Sequence, residues 1–184
     1  MSKHLPNCLT LLRCCASPLM AWLIIYSSTH TKWATATLLL FITIAISDWF
    51  DGYLARRLKA TSRLGEVLDP IADKLLTASC LMALVMVGRE IFIPALLILL
   101  REILITGLRQ YIPTKLKVTH LAKYKTWLQY IAIGIGIVYP VLPPAPAPWL
   151  LQGGFYLACA VTLITGGDYC LKAIAGHNNG KQNK

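Results

Sequence analysis

The sequence contains few charged residues and very few acids. Of its 184 residues 14% are charged, against about 25% in an ordinary soluble domain, and only eight are Asp or Glu. Hydrophobic residues make up 56%. A disordered or fibrous chain is therefore excluded, because such chains lack apolar residues. A soluble single domain is also disfavoured, since a chain of this length could not bury so much apolar surface.

The sequence also lacks a cysteine pattern and a secretory cleavage site. The six cysteines show no metal-ligand spacing and lie mostly in apolar segments, where Cys behaves as a small hydrophobic residue. The net charge of +10 is the usual indication of nucleic-acid binding. Here the basic residues flank long apolar runs, which favours a membrane protein and argues against a nucleic-acid partner.

Six apolar runs predict six membrane-spanning helices. They cover residues 8–27, 34–55, 70–88, 91–108, 127–142 and 149–167. A helix needs about 20 residues to cross a bilayer, so the shorter runs must extend into their flanks. With the N-terminus inside, sixteen Lys and Arg lie on the inner side and only Lys32 and Arg89 on the outer side. The positive-inside rule then puts both termini in the cytosol. We predict one all-α membrane domain over residues 1–176 and a polar tail over 177–184.

Five of the eight acids lie between positions 48 and 73. Asp48 and Asp51 are spaced to share one helix face, and Asp69 and Asp73 to share another. Two antiparallel helices joined by a short bend would bring four carboxylates together in low dielectric, where unpaired charge is costly. Divalent cations would resolve the repulsion, and ligands that are all carboxylates suit Mg²⁺ or Mn²⁺. The alternative is that these aspartates form ion pairs with nearby Arg and Lys. Such pairing would account for a single Asp more readily than for all four at this spacing.

The motifs around these acids resemble the signature of the CDP-alcohol phosphatidyltransferase family. That signature is matched by Asp48-x-x-Asp51-Gly52-x-x-Ala55-Arg56 followed by Gly65-x-x-x-Asp69-x-x-x-Asp73. Motifs within 6–13, 68–74, 101–109 and 123–129 are similar to the bacterial phosphatidylglycerophosphate synthase branch. The resemblance covers residues 5–172, and one departure is Ala122, where we expect glycine in many relatives.

The resemblance implies a dimeric six-helix enzyme of the bacterial inner membrane with its active site facing the cytosol. Such an enzyme transfers the phosphatidyl group of CDP-diacylglycerol to sn-glycerol 3-phosphate and releases CMP. Two Mg²⁺ or Mn²⁺ ions would be held by Asp48, Asp51, Asp69 and Asp73, with Asp73 also acting as general base. The positions that bind CDP-diacylglycerol would be Asn7, Thr10, Gly52, Ala55, Arg56 and Gly65.

An anionic acceptor needs basic residues to bind it. The fourth apolar run contains one, Arg101, far from its outer end. Arg101 lies about ten residues, or ~15 Å, from the outer end of that run, and a charge at such depth is functional by default. Glu102 points about 100° away around the helix, so it is not automatically the partner of Arg101. We predict that Arg101, Arg109, Lys123 and Lys125 bind the glycerol phosphate. The alternatives are a structural ion pair for Arg101 and interface anchoring for the other three.

Other functions stay open from the residues alone. The same chemistry could use another acceptor, such as inositol phosphate, free serine or a second phosphatidylglycerol. A divalent-cation transporter would also use intramembrane carboxylates, but we see no paired or inverted repeats or broken midplane helices. A membrane prenyltransferase with aspartate clusters would be expected to be longer and to have its clusters on more distant helices.

Overall fold

The computed structural model is helical throughout the residues that it describes. It describes the backbone of residues 5–58, 63–111, 121–144 and 147–182, and the side chains of 14–47, 74–108, 124–144 and 147–172. Over these backbone ranges there are six α-helices, two 3-10 turns and no strand. The helices are α1 (Leu5–Thr29), α2 (Ala34–Leu58), α3 (Arg63–Met86), α4 (Phe92–Tyr111), α5 (Leu121–Val138) and α6 (Ala147–Gln182). The all-α prediction is confirmed for this part of the chain.

Several helices extend beyond the apolar runs that predicted them. The third run begins at 70 and the fifth at 127, whereas α3 begins at Arg63 and α5 at Leu121. Backbone hydrogen bonding continues a helix through polar turns, which hydropathy alone does not detect. At its other end α5 stops before its run does. The 3-10 turn Tyr139–Val141 follows it and contains Pro140, which has no N–H to continue the helix.

Helix ends in the described chain are closed by local hydrogen bonds. At the end of α1, the hydroxyls of Ser27, Ser28 and Thr29 each donate to the carbonyl three residues earlier, a local side-chain-to-backbone bond that Ser and Thr make in helices. At the end of α3, Gly88 has φ +76°. Its N–H donates to the Val85 carbonyl at 3.0 Å, and the next N–H donates to the Leu84 carbonyl at 3.2 Å. This is a Schellman motif, which favours glycine at the left-handed position.

The turn after α3 also contains a partly buried arginine. The Arg89 guanidinium carbon lies 4.2 Å from the centroid of the Tyr139 ring. Burial lowers the pKa of Arg89, and the neighbouring Tyr139 opposes that shift. A cation over an aromatic face is stabilised by the ring quadrupole. The aromatic partner therefore offsets part of the cost of burying this charge.

The chain forms two compact units. The first comprises residues 1–90 and 133–148, and in it α1 packs against α2 and α3. Its core contains Met20 and Ile24 of α1, Leu84 of α3 and Ile137 of α5. A Cβ added at Gly136 would lie 2.8 Å from Leu84 Cδ1, so glycine there allows α5 to approach α3 closely.

The second unit comprises residues 91–132 and 149–184. One buried stripe of α4 contains Ala95, Ile98, Arg101 and Ile105, and Ile91 just before the helix is also buried. A buried stripe of α6 contains Leu151, Phe155, Ala158, Thr162 and Thr165. Both follow the three-and-four spacing of a helix face that packs on neighbours. Arg101 is the polar residue of the first stripe, and Thr162 and Thr165 are the polar residues of the second. These residues take part in the site described below.

The described helices have apolar exteriors. Large hydrophobic side chains are exposed on every helix, including Trp22, Leu39, Met82, Ile103, Ile131 and Ile164. Contiguous exposed apolar surface of this kind marks contact with lipid or with another protein. Within the described residues one helical segment, residues 147–172, is long and apolar enough to cross a membrane, and shorter apolar segments lie at Cys14–Thr29, Thr31–Ser47 and Lys74–Met86.

Candidate functional site

The acidic segment, residues 48–73, is helical on both sides of its bend. Positions 48–56 lie inside α2, and positions 65–73 lie inside α3. The helical spacing assumed for each pair of aspartates therefore holds for the backbone. The side chains of Asp48, Asp51, Asp69 and Asp73 lie outside the described residues, so their convergence on a metal stays a prediction. Four carboxylates are a donor set that fits Mg²⁺ or Mn²⁺.

The predicted nucleotide-binding positions also have a described backbone only. Asn7 and Thr10 lie in α1, while Gly52, Ala55 and Arg56 lie in α2 and Gly65 lies in α3. Two predicted acceptor-binding cations are in the same situation, since Arg109 lies in α4 and Lys123 in α5 with side chains outside the described residues. Their binding roles stay predictions.

Arg101 and Lys125 are the predicted site residues whose side chains are described, and both contact Glu102. Arg101 Nη1 donates to Glu102 Oε1 at 3.0 Å, and Lys125 Nζ donates to the same oxygen. The three side chains are 9%, 14% and 19% exposed for Arg101, Lys125 and Glu102. We call Arg101, Glu102 and Lys125 the cationic cluster. Two cations and one carboxylate give it a net charge of +1.

Helix geometry gave no reason to pair Arg101 with Glu102, but the structure pairs them. Neighbouring residues point about 100° apart around a helix, yet these side chains meet because both are long. The pair alone would be the structural interpretation of Arg101. Lys125 adds a second cation to the same carboxylate, so the three side chains together carry two formal positive charges and one negative charge. An excess of buried positive charge is typical of a binding site for anions.

Helix α6 supplies the remaining contacts of Arg101. Arg101 Nη2 donates to Thr165 Oγ1 at 3.3 Å. The Thr165 hydroxyl lies 2.9 Å from the Val161 carbonyl and 3.0 Å from that of Thr162. Because a hydroxyl has one proton and two lone pairs, it donates to one of these carbonyls and still accepts from Arg101.

Gly166, the next residue on α6, lies against the side chain of Arg101. A Cβ added at Gly166 would lie 2.9 Å from Arg101 Nε and 3.1 Å from its Cγ. Nε is buried and has no hydrogen-bond acceptor among the described residues. Two of the five N–H donors of Arg101 thus have acceptors in the described part of the chain. Nη1 and Nη2 each have a second N–H, which retains capacity for an anion.

A second polar contact joins α5 to α6 in this unit. Gln129 Nε2 donates to Thr162 Oγ1 at 3.0 Å, and both residues are buried. Thr162 lies one helical turn before Gly166. Buried hydrogen bonds of this kind fix the register between helices. The contact holds the α5 segment that contains Lys125 against the α6 segment that contains Thr165.

Sequence reasoning found the cations of this cluster but missed most of what surrounds them. The sequence assigns no role to Glu102 and gives no direct indication of Thr165 or Gly166. Thr165 is 64 positions from Arg101, so spacing could not connect them. One signal was present, because glycine inside a helix costs about 1 kcal/mol relative to alanine and usually has a packing reason. Gly166 and Gly167 lie together inside α6.

Outside this cluster, a further ion pair lies on the exposed side of α6. Lys172 Nζ contacts Asp168 Oδ2 at 2.6 Å, and both side chains are 46% exposed. The pair has the i, i+4 spacing that stabilises a helix. Among the described side chains, no group of three or more His, Cys, Asp or Glu residues is arranged to hold a metal ion.

The comparisons with known proteins define the class to which the chain belongs. The family model of the CDP-alcohol phosphatidyltransferases matches residues 3–164, so the chain belongs to this family. The family prediction is confirmed.

Within that family, several similar bacterial relatives share one name. The CDP-diacylglycerol–glycerol-3-phosphate 3-phosphatidyltransferase of Cereibacter sphaeroides is 36% identical, covering 95% of this chain and 97% of the relative. The protein of that name from Rickettsia prowazekii is 35% identical, covering 92% and 94%. A Schizosaccharomyces pombe fusion protein, named as a CMP-forming cardiolipin synthase and mitochondrial hydrolase, is 32% identical over 96% of this chain but 32% of its own length.

Proposed function

We propose that the protein transfers the phosphatidyl group of CDP-diacylglycerol to sn-glycerol 3-phosphate, giving phosphatidylglycerophosphate and CMP. The observation that carries this proposal is that bacterial relatives named for this reaction align with nearly the whole chain. The cationic cluster supports it independently, because glycerol 3-phosphate is an anion and the cluster has a net positive charge. The proposed protein is therefore a transferase of phospholipid biosynthesis.

The reaction exchanges one phosphorus–oxygen bond for another. A hydroxyl oxygen of glycerol 3-phosphate attacks the phosphorus that bears the diacylglycerol. The bond from that phosphorus to the bridging oxygen breaks, and CMP leaves with the electron pair. The proton of the attacking hydroxyl passes to a carboxylate, for which we propose Asp73. Positioning and charge neutralisation do most of the work in such transfers.

The acidic segment is proposed to hold the divalent ions that this chemistry uses. The proposed ligands are Asp48, Asp51, Asp69 and Asp73. Two divalent ions would balance their four negative charges. Bound Mg²⁺ or Mn²⁺ would neutralise charge on the pyrophosphate oxygens and on the departing CMP. Asn7, Thr10, Gly52, Ala55, Arg56 and Gly65 are proposed to bind the rest of the nucleotide-lipid. Small residues at three of these positions would permit close approach of a phosphate-bearing ligand.

The cationic cluster is proposed to bind the phosphate of the acceptor, together with Arg109 and Lys123. Arginine presents a planar fork that matches phosphate oxygens, and lysine adds a point charge. Glu102 keeps the two cations close before the acceptor arrives, since like charges at low dielectric would otherwise repel. A phosphate dianion carries more negative charge than the single carboxylate of Glu102. It can then bind to the cations Arg101 and Lys125.

The protein is proposed to lie in the bacterial cytoplasmic membrane, with all six helices spanning and both termini in the cytosol. Exposed apolar residues on every described helix support this, as does the distribution of Lys and Arg. An active site at the inner face lets the acyl chains stay in lipid while glycerol 3-phosphate arrives from water. Cysteine labelling at the loops would test the orientation. The resemblance implies a homodimer, which cross-linking in the membrane would test.

The test is an acceptor-competition assay on the purified protein in detergent or liposomes. Labelled CDP-diacylglycerol is supplied with glycerol 3-phosphate, inositol phosphate, serine and phosphatidylglycerol, separately and together. We expect CMP release and a labelled phosphatidylglycerophosphate product with glycerol 3-phosphate. Product formed with inositol phosphate alone, or with phosphatidylglycerol alone, would replace the proposed acceptor with that one.

The transporter alternative is tested in the same liposomes. Divalent-ion flux without release of CMP from CDP-diacylglycerol would overturn the enzymatic proposal altogether. Omitting divalent ions and adding a chelator gives the matching control for metal dependence. We expect turnover to stop with chelator and to return when Mg²⁺ or Mn²⁺ is added back.

A further inference from the structure

Arg101 lies on α4, but its side chain is held by two consecutive residues of α6. Thr165 accepts from Nη2 at 3.3 Å, and the stem of the side chain lies over Gly166. At that glycine an added Cβ would meet Cγ at 3.1 Å and Cδ at 3.6 Å as well as Nε at 2.9 Å. Real Cβ atoms essentially never approach another heavy atom to within 3.0 Å. A larger residue at 166 would therefore require the Arg101 side chain to shift at Cγ and Nε.

Gly167 provides an internal comparison for Gly166. It is the next residue of the same helix, and a Cβ added there would meet nothing within 4 Å. Both glycines lower the helix propensity of α6 by the same amount. The close approach of Arg101 therefore accounts for glycine at 166 and does not account for it at 167.

The contact of Arg101 with Thr165 and Gly166 matters because Arg101 is buried. It is 8% exposed and occupies a position on the buried stripe of α4 otherwise taken by apolar residues. Its guanidinium is thus fixed from two directions, by Glu102 through Nη1 and by Thr165 through Nη2. A group fixed in this way is preorganised for its ligand.

We propose that Gly166 and Thr165 are positioning residues that set the Arg101 guanidinium for the phosphate of the acceptor. Neither residue touches the acceptor. Gly166 acts by leaving room for the Arg101 side chain against the α6 backbone, and Thr165 acts by accepting its Nη2 hydrogen bond. This inference rests on the proposed function, since it assumes a phosphorylated acceptor bound by Arg101.

The experiment compares Gly166→Ala with Gly167→Ala. Initial rates of CMP release are measured against glycerol 3-phosphate at saturating CDP-diacylglycerol, and then against CDP-diacylglycerol at saturating glycerol 3-phosphate. We expect Gly166→Ala to raise the acceptor KM by roughly 10- to 100-fold, because small misplacements of a positioning group have effects of that size. In Gly166→Ala the KM for CDP-diacylglycerol should stay within about twofold of the wild-type value. In Gly167→Ala both KM values should stay within the same twofold range.

A second pair of variants keeps the test valid if Gly166→Ala fails to fold. Thr165→Val removes the acceptor oxygen but keeps the shape, while Thr165→Ser keeps the oxygen. We expect Thr165→Val to raise the acceptor KM selectively and Thr165→Ser to restore it. Melting temperatures in detergent are recorded for all four variants, and KM values are compared only among variants that fold.

The outcomes separate this inference from the proposed function. Equal effects on both KM values, or an acceptor KM for Gly166→Ala equal to that for Gly167→Ala, would overturn the positioning role while the wild-type reaction stands. A wild-type protein that releases no CMP with glycerol 3-phosphate would instead overturn the proposed function. If another phosphorylated acceptor proves active, the same four variants are compared with that acceptor.

Discussion

The acidic segment and the cationic cluster are organised in opposite ways. The four aspartates of the acidic segment lie within 26 residues, at spacings of three and four inside two consecutive helices. The cationic cluster is assembled from α4 and α5 and is completed by Thr165 on α6, 64 positions from Arg101. The first region is a local motif, whereas the second exists only after helices distant in sequence have packed.

The difference shows what each region requires of the chain. Ligands on one helix face keep their relative positions as long as the helix is intact. A cluster drawn from several helices depends on their register, which buried contacts such as Gln129 with Thr162 maintain. We therefore expect substitutions in the acidic segment to act on chemistry, and those around the cationic cluster to act on acceptor binding and stability.

The largest effect is expected for Asp69→Asn, which replaces a proposed metal ligand by a neutral side chain of the same size. Loss of an outer-shell partner of a metal ligand typically costs 10- to 100-fold, so loss of a ligand should lower turnover by more than about 100-fold. CMP release at saturating substrates measures this. Asp168→Asn is the matched control, since Asp168 is half-exposed and paired with Lys172. Retained turnover in Asp69→Asn at wild-type metal concentration would refute the ligand assignment.

The helical backbone of the acidic region could be predicted from the sequence, while its metal-binding role stays a prediction. Spacing alone identified the aspartates, and α2 and α3 prove continuous through them. The start of α3 at Arg63 was not predicted, because its first turns are polar and hydropathy detects only the apolar part. The extension of α6 to Gln182 was missed for the same reason, since the predicted polar tail still forms helix.

The cationic cluster could be predicted only in part. Arg101 stood out because a charge inside an apolar run is costly, and Lys125 because it lies beside a helix start. The sequence predicts no partner for Glu102. Helix geometry gives the direction in which a side chain leaves the helix, but it does not show where the end of a long side chain lies. Thr165 and Gly166 carry no charge, so their role depends on tertiary packing that no local pattern encodes.

The second largest effect is expected for Arg101→Ala. Hydrogen bonds to charged groups contribute about 1.5–3 kcal/mol, which corresponds to roughly 10- to 150-fold in affinity. We expect the KM for glycerol 3-phosphate to rise by that factor and the KM for CDP-diacylglycerol to change much less. Arg89→Ala is the matched control, because Arg89 is also partly buried but contacts Tyr139. Equal changes in both KM values for Arg101→Ala would indicate a structural ion pair.

A smaller effect, on stability, is expected for Glu102→Gln. The substitution keeps the size of the side chain but removes the charge that offsets two neighbouring cations. Uncompensated charge in a largely buried cluster is destabilising, and we expect the free energy of unfolding to fall by about 1–3 kcal/mol. Thermal unfolding in detergent, compared with Asp168→Asn, measures the difference. A melting temperature equal to that of Asp168→Asn would mean that the carboxylate does not stabilise the cluster.

The smallest effect is expected for Lys172→Met, which removes one charge of the exposed pair on α6. Both side chains of that pair are 46% exposed, and an exposed i, i+4 pair contributes about 0.3–0.5 kcal/mol. The melting temperature and both KM values should therefore stay close to those of the wild type. A rise in the acceptor KM comparable to that of Arg101→Ala would extend the acceptor site to the end of α6. The contrast between the buried cluster and an ordinary exposed ion pair would then no longer hold, because burial would not decide which cations of this unit bind phosphate.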